Sequence, residues 1–139
     1  MIGNRDRHDH NWHVIRRATE TRLAPSFDHA TSLGFQLQDR RRAALLQRDP
    51  RLEVYSRRAT AWRFAPGRTT QTDLVSLAAR ACLETDATAA WTERLDRRLH
   101  QAWFDQLLGQ VSPMSVLSRR MVTALIMTNM RRLRHAWDS

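Results

Sequence analysis

The stretch Ser112-Pro113-Met114-Ser115-Val116-Leu117-Ser118-Arg119-Arg120-Met121-Val122-Thr123-Ala124-Leu125-Ile126, continuing to Trp137, decides the fold. Serine followed by proline is a helix-start signal: a hydroxyl that can cap, then a residue whose fixed φ suits the first helical position. Met114, Leu117, Met121, Leu125 and Ile126 supply an inward stripe at helical spacing, so a long helix to about Trp137 is expected. A helix with an apolar stripe needs further helices against it.

The segments upstream provide them. Leu74, Leu77, Ala78, Ala81 and Cys82 follow the spacing of one buried helical face. Trp91, Leu95, Leu99, Trp103 (or Ala102) and Leu107 do the same in the next segment. Earlier still, Asp39 is placed to cap a helix over Arg40 to Arg48, with Ala43, Ala44, Leu45 and Leu46 as its apolar residues. Asp49-Pro50 should stop it, because the residue before proline disfavours the helical region. Leu52, Tyr55 and Ala59 suggest a short second helix, and Trp62 to Thr70, with Pro66-Gly67, reads as an irregular connection.

The N-terminal part has a different character. Residues 1–11 are polar, without helical or strand period. Trp12 to Arg16 and Arg22 to Ala24 read as two short strands, with Ala18-Thr19-Glu20-Thr21 as the turn and Pro25 ending the ladder. Ser26 to Gly34 forms a second polar loop. The expected architecture is mainly α: a short N-terminal β-hairpin with its loops over 1–34, then a helical bundle over 35–139, as a single domain.

The composition excludes several mechanisms. The 139 residues carry 23 basic and 14 acidic side chains, a net charge of +9, and every basic residue is arginine. Without lysine the chain cannot form a Schiff base from its own side chains or build a Walker A loop. It also lacks the lysine with which a self-sufficient protein kinase of the common type holds nucleotide phosphates. Arginine surfaces bind phosphate, but arginine without lysine also follows from genome base composition, so direct nucleic-acid binding is disfavoured. The lone Cys82 excludes an internal disulfide framework and fits a reducing compartment. No apolar run approaches the roughly 20 residues that span a bilayer. With no apolar signal core after Met1, a cytoplasmic address is expected and no membrane partner.

Polar side chains able to do chemistry concentrate in the first 34 residues. A hairpin brings the loop before it and the loop after it to the same end, so Asp6, Asn11 and Asp28 should converge. Two carboxylates and an amide are oxygen donors that suit a hard cation such as Mg²⁺. A further carboxylate can accept a proton from a hydroxyl nucleophile, which completes a phosphoryl-transfer set.

Gly3-Asn4-Arg5-Asp6-Arg7-His8-Asp9-His10-Asn11, followed by Leu23-Ala24-Pro25-Ser26-Phe27-Asp28-His29-Ala30-Thr31-Ser32, resembles the HipA-like serine/threonine kinases. That family carries a Gly-Asn-x-Asp-x-His-x-x-Asn loop and then a Leu-x-Pro-x-Tyr/Phe-Asp-x-x-Ser/Thr-Ser segment. The resemblance implies the C-terminal lobe of a protein-kinase-like fold and ATP- and Mg²⁺-dependent transfer to a protein hydroxyl. In it Asp6 matches the catalytic aspartate, Asn11 a magnesium-holding asparagine, and Asp28 the metal-binding aspartate. His8 belongs with Asp6 and Asn11 in the catalytic loop, which Gly3 and Asn4 also shape, while Thr31 and Ser32 support the segment after Asp28. Asn11 and Asp28 are then both the cofactor and the metal contacts. The family's phosphate-covering N-terminal lobe has no counterpart in these residues, so a truncated, mis-started or split chain is expected, weakly active or inactive by itself. Implied partners are a protein substrate, a helix-turn-helix antitoxin and a separately encoded N-terminal lobe.

Plainer readings stand beside this one. Asp and Asn favour loops for local hydrogen bonding. The chain is alternatively a non-catalytic remnant, a pseudokinase interaction module, or, less favoured, a basic nucleic-acid-binding helical protein. His8, His10 and His13 have spacings that fit no common zinc pattern. Cys82 and the tryptophans at 91, 103 and 137 read as packing, Arg131, Arg132 and Arg134 as a basic helix end, and Arg40-Arg41-Arg42 as a solvated face. A surface left by a missing lobe is expected to expose Trp12, Ile15 and Phe27.

Overall fold

The computed structural model of the chain describes residues 2–62, 71–98 and 100–139. Six helices dominate these residues: α1 (Asp39–Leu46), α2 (Asp49–Ser56), α3 (Leu74–Glu84), α4 (Thr88–Arg98), α5 (Gln101–Gly109) and α6 (Val116–Trp137). Two small antiparallel pairs accompany them, β1 (Val14–Arg17) with β2 (Glu20–Leu23) and β3 (Thr60–Ala61) with β4 (Thr72–Asp73). The expected succession of a short hairpin and then helices is what forms. No described helix is long and apolar enough to cross a membrane.

α6 is the axis, and α1 to α5 all contact it. Its apolar residues divide between two sides. Val122, Ile126, Met130 and Leu133 meet Val75 and Ala79 of α3, Leu95 of α4, and Phe104 and Leu108 of α5. Met121 and Leu125 meet Leu45 of α1 and Leu52 and Tyr55 of α2. The expected helix begins later than the Ser112-Pro113 signal suggests. Those residues lie in a turn, with a cis peptide between them, and Ser115 caps instead, its Oγ accepting the Ser118 N–H at 3.1 Å. The sequence repeats a serine three residues on, and the serine with a free N–H in reach takes the cap.

The other helices form close to where expected but in different phase. α3 buries Val75 and Ala79, with Cys82 half-buried, while Ala78 and Ala81 of the expected stripe are exposed. The segment expected to be one helix through Leu107 is two, because His100 starts α5 afresh with Nδ1 accepting the Trp103 N–H at 3.2 Å. Its inward residues are Leu95, Phe104 and Leu108, and Trp91 and Trp103 are exposed rather than packed. Leu99 and the connection over 63–70 lie outside the described residues. Asp39 is the first residue of α1 rather than its cap; Gln38 holds the cap position without a side-chain bond. Asp49-Pro50 opens α2 instead of merely ending α1, as proline at a first helical turn allows. Arg42 is not part of a solvated face: it bonds Asp39 at 2.6 Å and the Phe35 carbonyl at 3.0 Å.

The hairpin pairs Val14 with Leu23 and Arg17 with Glu20, so Ala18-Thr19 alone makes the turn, shorter than expected. Trp12 and Phe27 are exposed beside it, while Ile15 is half-buried. The β3–β4 pair has no counterpart in the sequence reading. It holds the first loop, because Ala61 bridges Arg7 in parallel and the Trp62 N–H donates to the Arg7 carbonyl at 2.9 Å.

Truncating α6 at its centre should therefore be far costlier than at its rim. Leu125→Ala is expected to lose about 2–5 kcal/mol in urea unfolding, and Val116→Ala, at an exposed site, less than about 0.5 kcal/mol. Equal losses at the two positions would contradict the central placement of α6.

Candidate functional site

The two polar loops meet before the bundle, joined by amide side chains. Asn4 is buried, with 2% of its surface exposed, and it uses both ends of its amide. Its Nδ2 donates to the Asp28 carbonyl at 2.9 Å. Its Oδ1 accepts the Asp6 backbone N–H at 2.9 Å and the Thr31 hydroxyl. Asn11, equally buried, repeats the device: Nδ2 donates to Asp28 Oδ2 at 2.8 Å, and Oδ1 accepts the His8 N–H at 3.1 Å. An unpaired buried amide is expensive, so these bonds fix the loops as firmly as a ladder would.

Arg7 adds a third tie. Its Nη1 donates to the Phe27 carbonyl at 2.8 Å, and its guanidinium lies 4.2 Å from the centre of the Trp12 ring. The Leu33 N–H donates to the Ile2 carbonyl at 2.8 Å further along the same seam. Asp28 itself is in the left-handed region, φ 56°, which aspartate tolerates better than most residues.

The expected site residues thus fall into three situations. Asn11 and Asp28 touch. Asp6 is anchored to the same Asn4 that holds the Asp28 carbonyl, through its amide, and its side chain is exposed. His8 is half-buried and contributes its backbone N–H to Asn11, with its ring edge-on to His10 at 5.6 Å. Among the described residues no group of three or more His, Cys, Asp or Glu side chains gathers to hold a metal. The donors that the structure brings together are the Asp28 carboxylate and the Asn11 amide, while Asp6 is tied in through its backbone. Asn11 Oδ1 spends one of its two lone pairs on His8, and Asn11 engages one carboxylate oxygen of Asp28. Oxygen chemistry of that sort fits a hard cation.

Sequence reasoning passed over two structural residues. Arg7 is 4% exposed although it is one of 23 arginines, and nothing in its spacing marks it as buried. Arg132 does more than complement a helix dipole: it bonds Ser56 Oγ at 3.0 Å and Asn129 Oδ1 at 3.2 Å and pairs with Asp73, the cap of α3. Arg134 pairs with Asp96 of α4. Cys82 is half-buried and its thiol is pushed up by burial, which suits packing. Comparison with protein families, with curated proteins and with solved structures found no match.

Asn4→Ala leaves a carbonyl, an amide N–H and a hydroxyl without their partner. It is expected to cost about 1–3 kcal/mol, and to expose the Asp6 amide to faster hydrogen exchange while amides of α6 stay protected. Retained protection at Asp6 would show that the loops are held by something else. Cys82 should react slowly with iodoacetamide at neutral pH, because the protonated thiol is a poor nucleophile; modification as fast as free cysteine would contradict its burial.

Proposed function

We propose that the chain is the C-terminal lobe of a HipA-like serine/threonine kinase, with Asn11 and Asp28 as the Mg²⁺-ATP contacts and Asp6 directing a protein hydroxyl. The observation that carries this reading is the 2.8 Å contact between Asn11 Nδ2 and Asp28 Oδ2, across 17 residues of sequence. It joins the two motifs on which the resemblance rests, at the two residues the resemblance assigns to metal. Mg²⁺ in such a position neutralises charge on the transferring phosphates.

The chain's own residues do the rest. Asn11 is buried and meets Asp28 through its Nδ2 while Oδ1 accepts the His8 N–H, so the second lone pair of Oδ1 is what it would offer a cation. Asp28 is held from behind by Asn4 while its side chain remains at the surface. Asp6 has a fixed backbone and an exposed carboxylate, the condition for accepting or orienting a proton from an incoming hydroxyl. Positioning supplies much of phosphoryl-transfer catalysis, so an N-terminal lobe holding the nucleotide is part of this reading, whether encoded separately or in the same chain. The acceptor is a protein, and a helix-turn-helix antitoxin is the partner the resemblance implies.

A non-catalytic interaction module is the second reading. It is favoured by the hairpin, whose eight strand residues are exposed except for a half-buried Ile15, with Val14 and Leu23 among the exposed apolar ones.

Phosphate transfer from Mg²⁺-ATP to a protein acceptor, assayed with the N-terminal lobe supplied, separates the two. Asp6→Asn is expected to lower the rate by about 100-fold or more, and Asp28→Asn to abolish Mg²⁺-dependent nucleotide binding in calorimetry. Full transfer by both variants would sink the assigned roles, and absent nucleotide binding by the assembled protein would favour the interaction module.

A further inference from the structure

A cavity of about 470 Å³ runs along α6, between the start of α2 and the start of α5. That volume is in the range of small-molecule sites, roughly 300–1,000 Å³. Leu46, Leu52, Leu108 and Met127 give it apolar walls. Its polar lining comes largely from α6 itself: Arg119, Arg120, Thr123 and Arg131. None of Asp6, Asn11 and Asp28 lines it, so the phosphoryl-transfer reading makes no use of it.

The two arginines at one end are without a protein partner. Among the described residues neither Arg119 nor Arg120 makes a hydrogen bond or an ion pair. Arg119 is half-buried, and its Nε is enclosed and unbonded. Its two terminal nitrogens are not enclosed, and through them the guanidinium is reached from the cavity. A guanidinium keeps its charge at every physiological pH, and a partly desolvated charge with no counter-charge is unfavourable. Thr123 follows Arg119 by four residues and Arg120 by three, the spacing of neighbours on a helix surface. It is 4% exposed, its hydroxyl bonds nothing among the described residues, and that hydroxyl is not one of the enclosed atoms. Two guanidiniums and a hydroxyl, all donors in want of an acceptor, therefore meet at one place.

The carboxylates of the same lining do not answer them. Asp105 accepts from Gln101 Nε2 at 2.9 Å, and Asp49 bonds nothing among the described residues; both are exposed. Arg131 lies three turns beyond Arg120, about 16 Å along the helix axis, and reaches Thr128 Oγ1 at 3.4 Å there. The opening is thus cationic at one end, apolar in its walls and edged by acid.

We infer that this cavity binds a small phosphate monoester, whose phosphate is taken by Arg119, Arg120 and Thr123 Oγ1 and whose body rests on the apolar walls. Two guanidiniums match the two charges of one phosphate, and their forked donors suit its several oxygens. The exposed Asp49 and Asp105 repel a polyanion, which limits the ligand to a single phosphate. The inference is independent of the kinase reading, since it needs neither Mg²⁺ nor the residues assigned to it.

Phenyl phosphate carries the shared chemistry and is the probe. Titrated calorimetrically into the full chain in EDTA, it is expected to bind saturably at one site per molecule. Arg120→Gln, at an exposed position and so without effect on the fold, should weaken it by about 10-fold or more, the worth of a hydrogen bond to a charged group. Thr123→Val keeps the side-chain shape, removes only an unpartnered hydroxyl, and should weaken it about 5-fold. Arg16→Gln removes the same charge from the exposed β1 and should change nothing. Benzoate, with one charge on the same ring, should bind at least about 10-fold more weakly than phenyl phosphate. Absent saturable binding overturns the inference. Equal losses in Arg16→Gln and Arg120→Gln overturn it too, because they would show attraction to net charge alone. Benzoate binding as tightly as phenyl phosphate removes the phosphate assignment. A phosphotyrosine pentapeptide that binds more tightly than phenyl phosphate overturns the small-molecule assignment in favour of a phosphorylated protein.

Discussion

Burying two faces of α6 is the constraint from which the remaining architecture follows. A helix presents neighbours at three and four residues, so two apolar stripes on one helix demand two separate sets of partners. Val122, Ile126, Met130 and Leu133 recruit α3, α4 and α5, whereas Met121 and Leu125 recruit α1 and α2. Each large apolar side chain taken from water contributes about 1.5–3 kcal/mol. Buried polar residues on the same helix are held by its own arginines: Arg131 donates to Thr128 Oγ1 at 3.4 Å and Arg132 to Asn129 Oδ1 at 3.2 Å.

Arg132 closes the far end of that arrangement. Its guanidinium joins Ser56 at the end of α2, Asn129 on α6 and Asp73 at the start of α3. Asp73 also caps α3 by accepting the Ser76 N–H at 3.1 Å. A nearly buried ion pair pays a desolvation cost that its attraction offsets only with good geometry and added hydrogen bonds. Here the several partners provide them, and one guanidinium ties three helices together. The surface pairs, such as Arg57 with Glu53, have less to lose to desolvation and contribute correspondingly little.

How much of this was legible follows from the range of each interaction. The hairpin, the existence of α1 and the apolar length of α6 depend on residues within a turn or two of each other, and the sequence displays them. The phase of α3 does not show, because Leu74, Val75, Leu77, Ala78, Ala79, Ala81, Cys82 and Leu83 give apolar neighbours for almost any stripe. Only the position of α6 selects Val75 and Ala79. The break at His100 is hidden likewise, since a histidine that caps looks like any other polar residue in a helix. At the site, the convergence of the two polar loops was legible, and it is seen in the contact of Asn11 with Asp28. The burial of Arg7 was not, because it depends on a carbonyl 20 residues away.

The site and the core are mechanically one object, and glycine makes them so. Gly3 opens the first loop at φ 60°, and a Cβ there would stand 3.4 Å from Leu125 Cδ2 and 3.5 Å from Asn129 Nδ2. Gly34 closes the second loop at φ 68°, where a Cβ would meet Met121 Cε at 3.4 Å and Leu37 Cδ1 at 3.2 Å. A left-handed backbone with no side chain lets each loop lie directly on the helix. Met121, Leu125 and Asn129 follow one another at intervals of four, so they form a single row along α6. Both loops are seated on that row before Asn4, Asn11 and Arg7 tie them together. Both loops therefore rest on α6 at their glycines, and a change in the packing of α6 reaches them there.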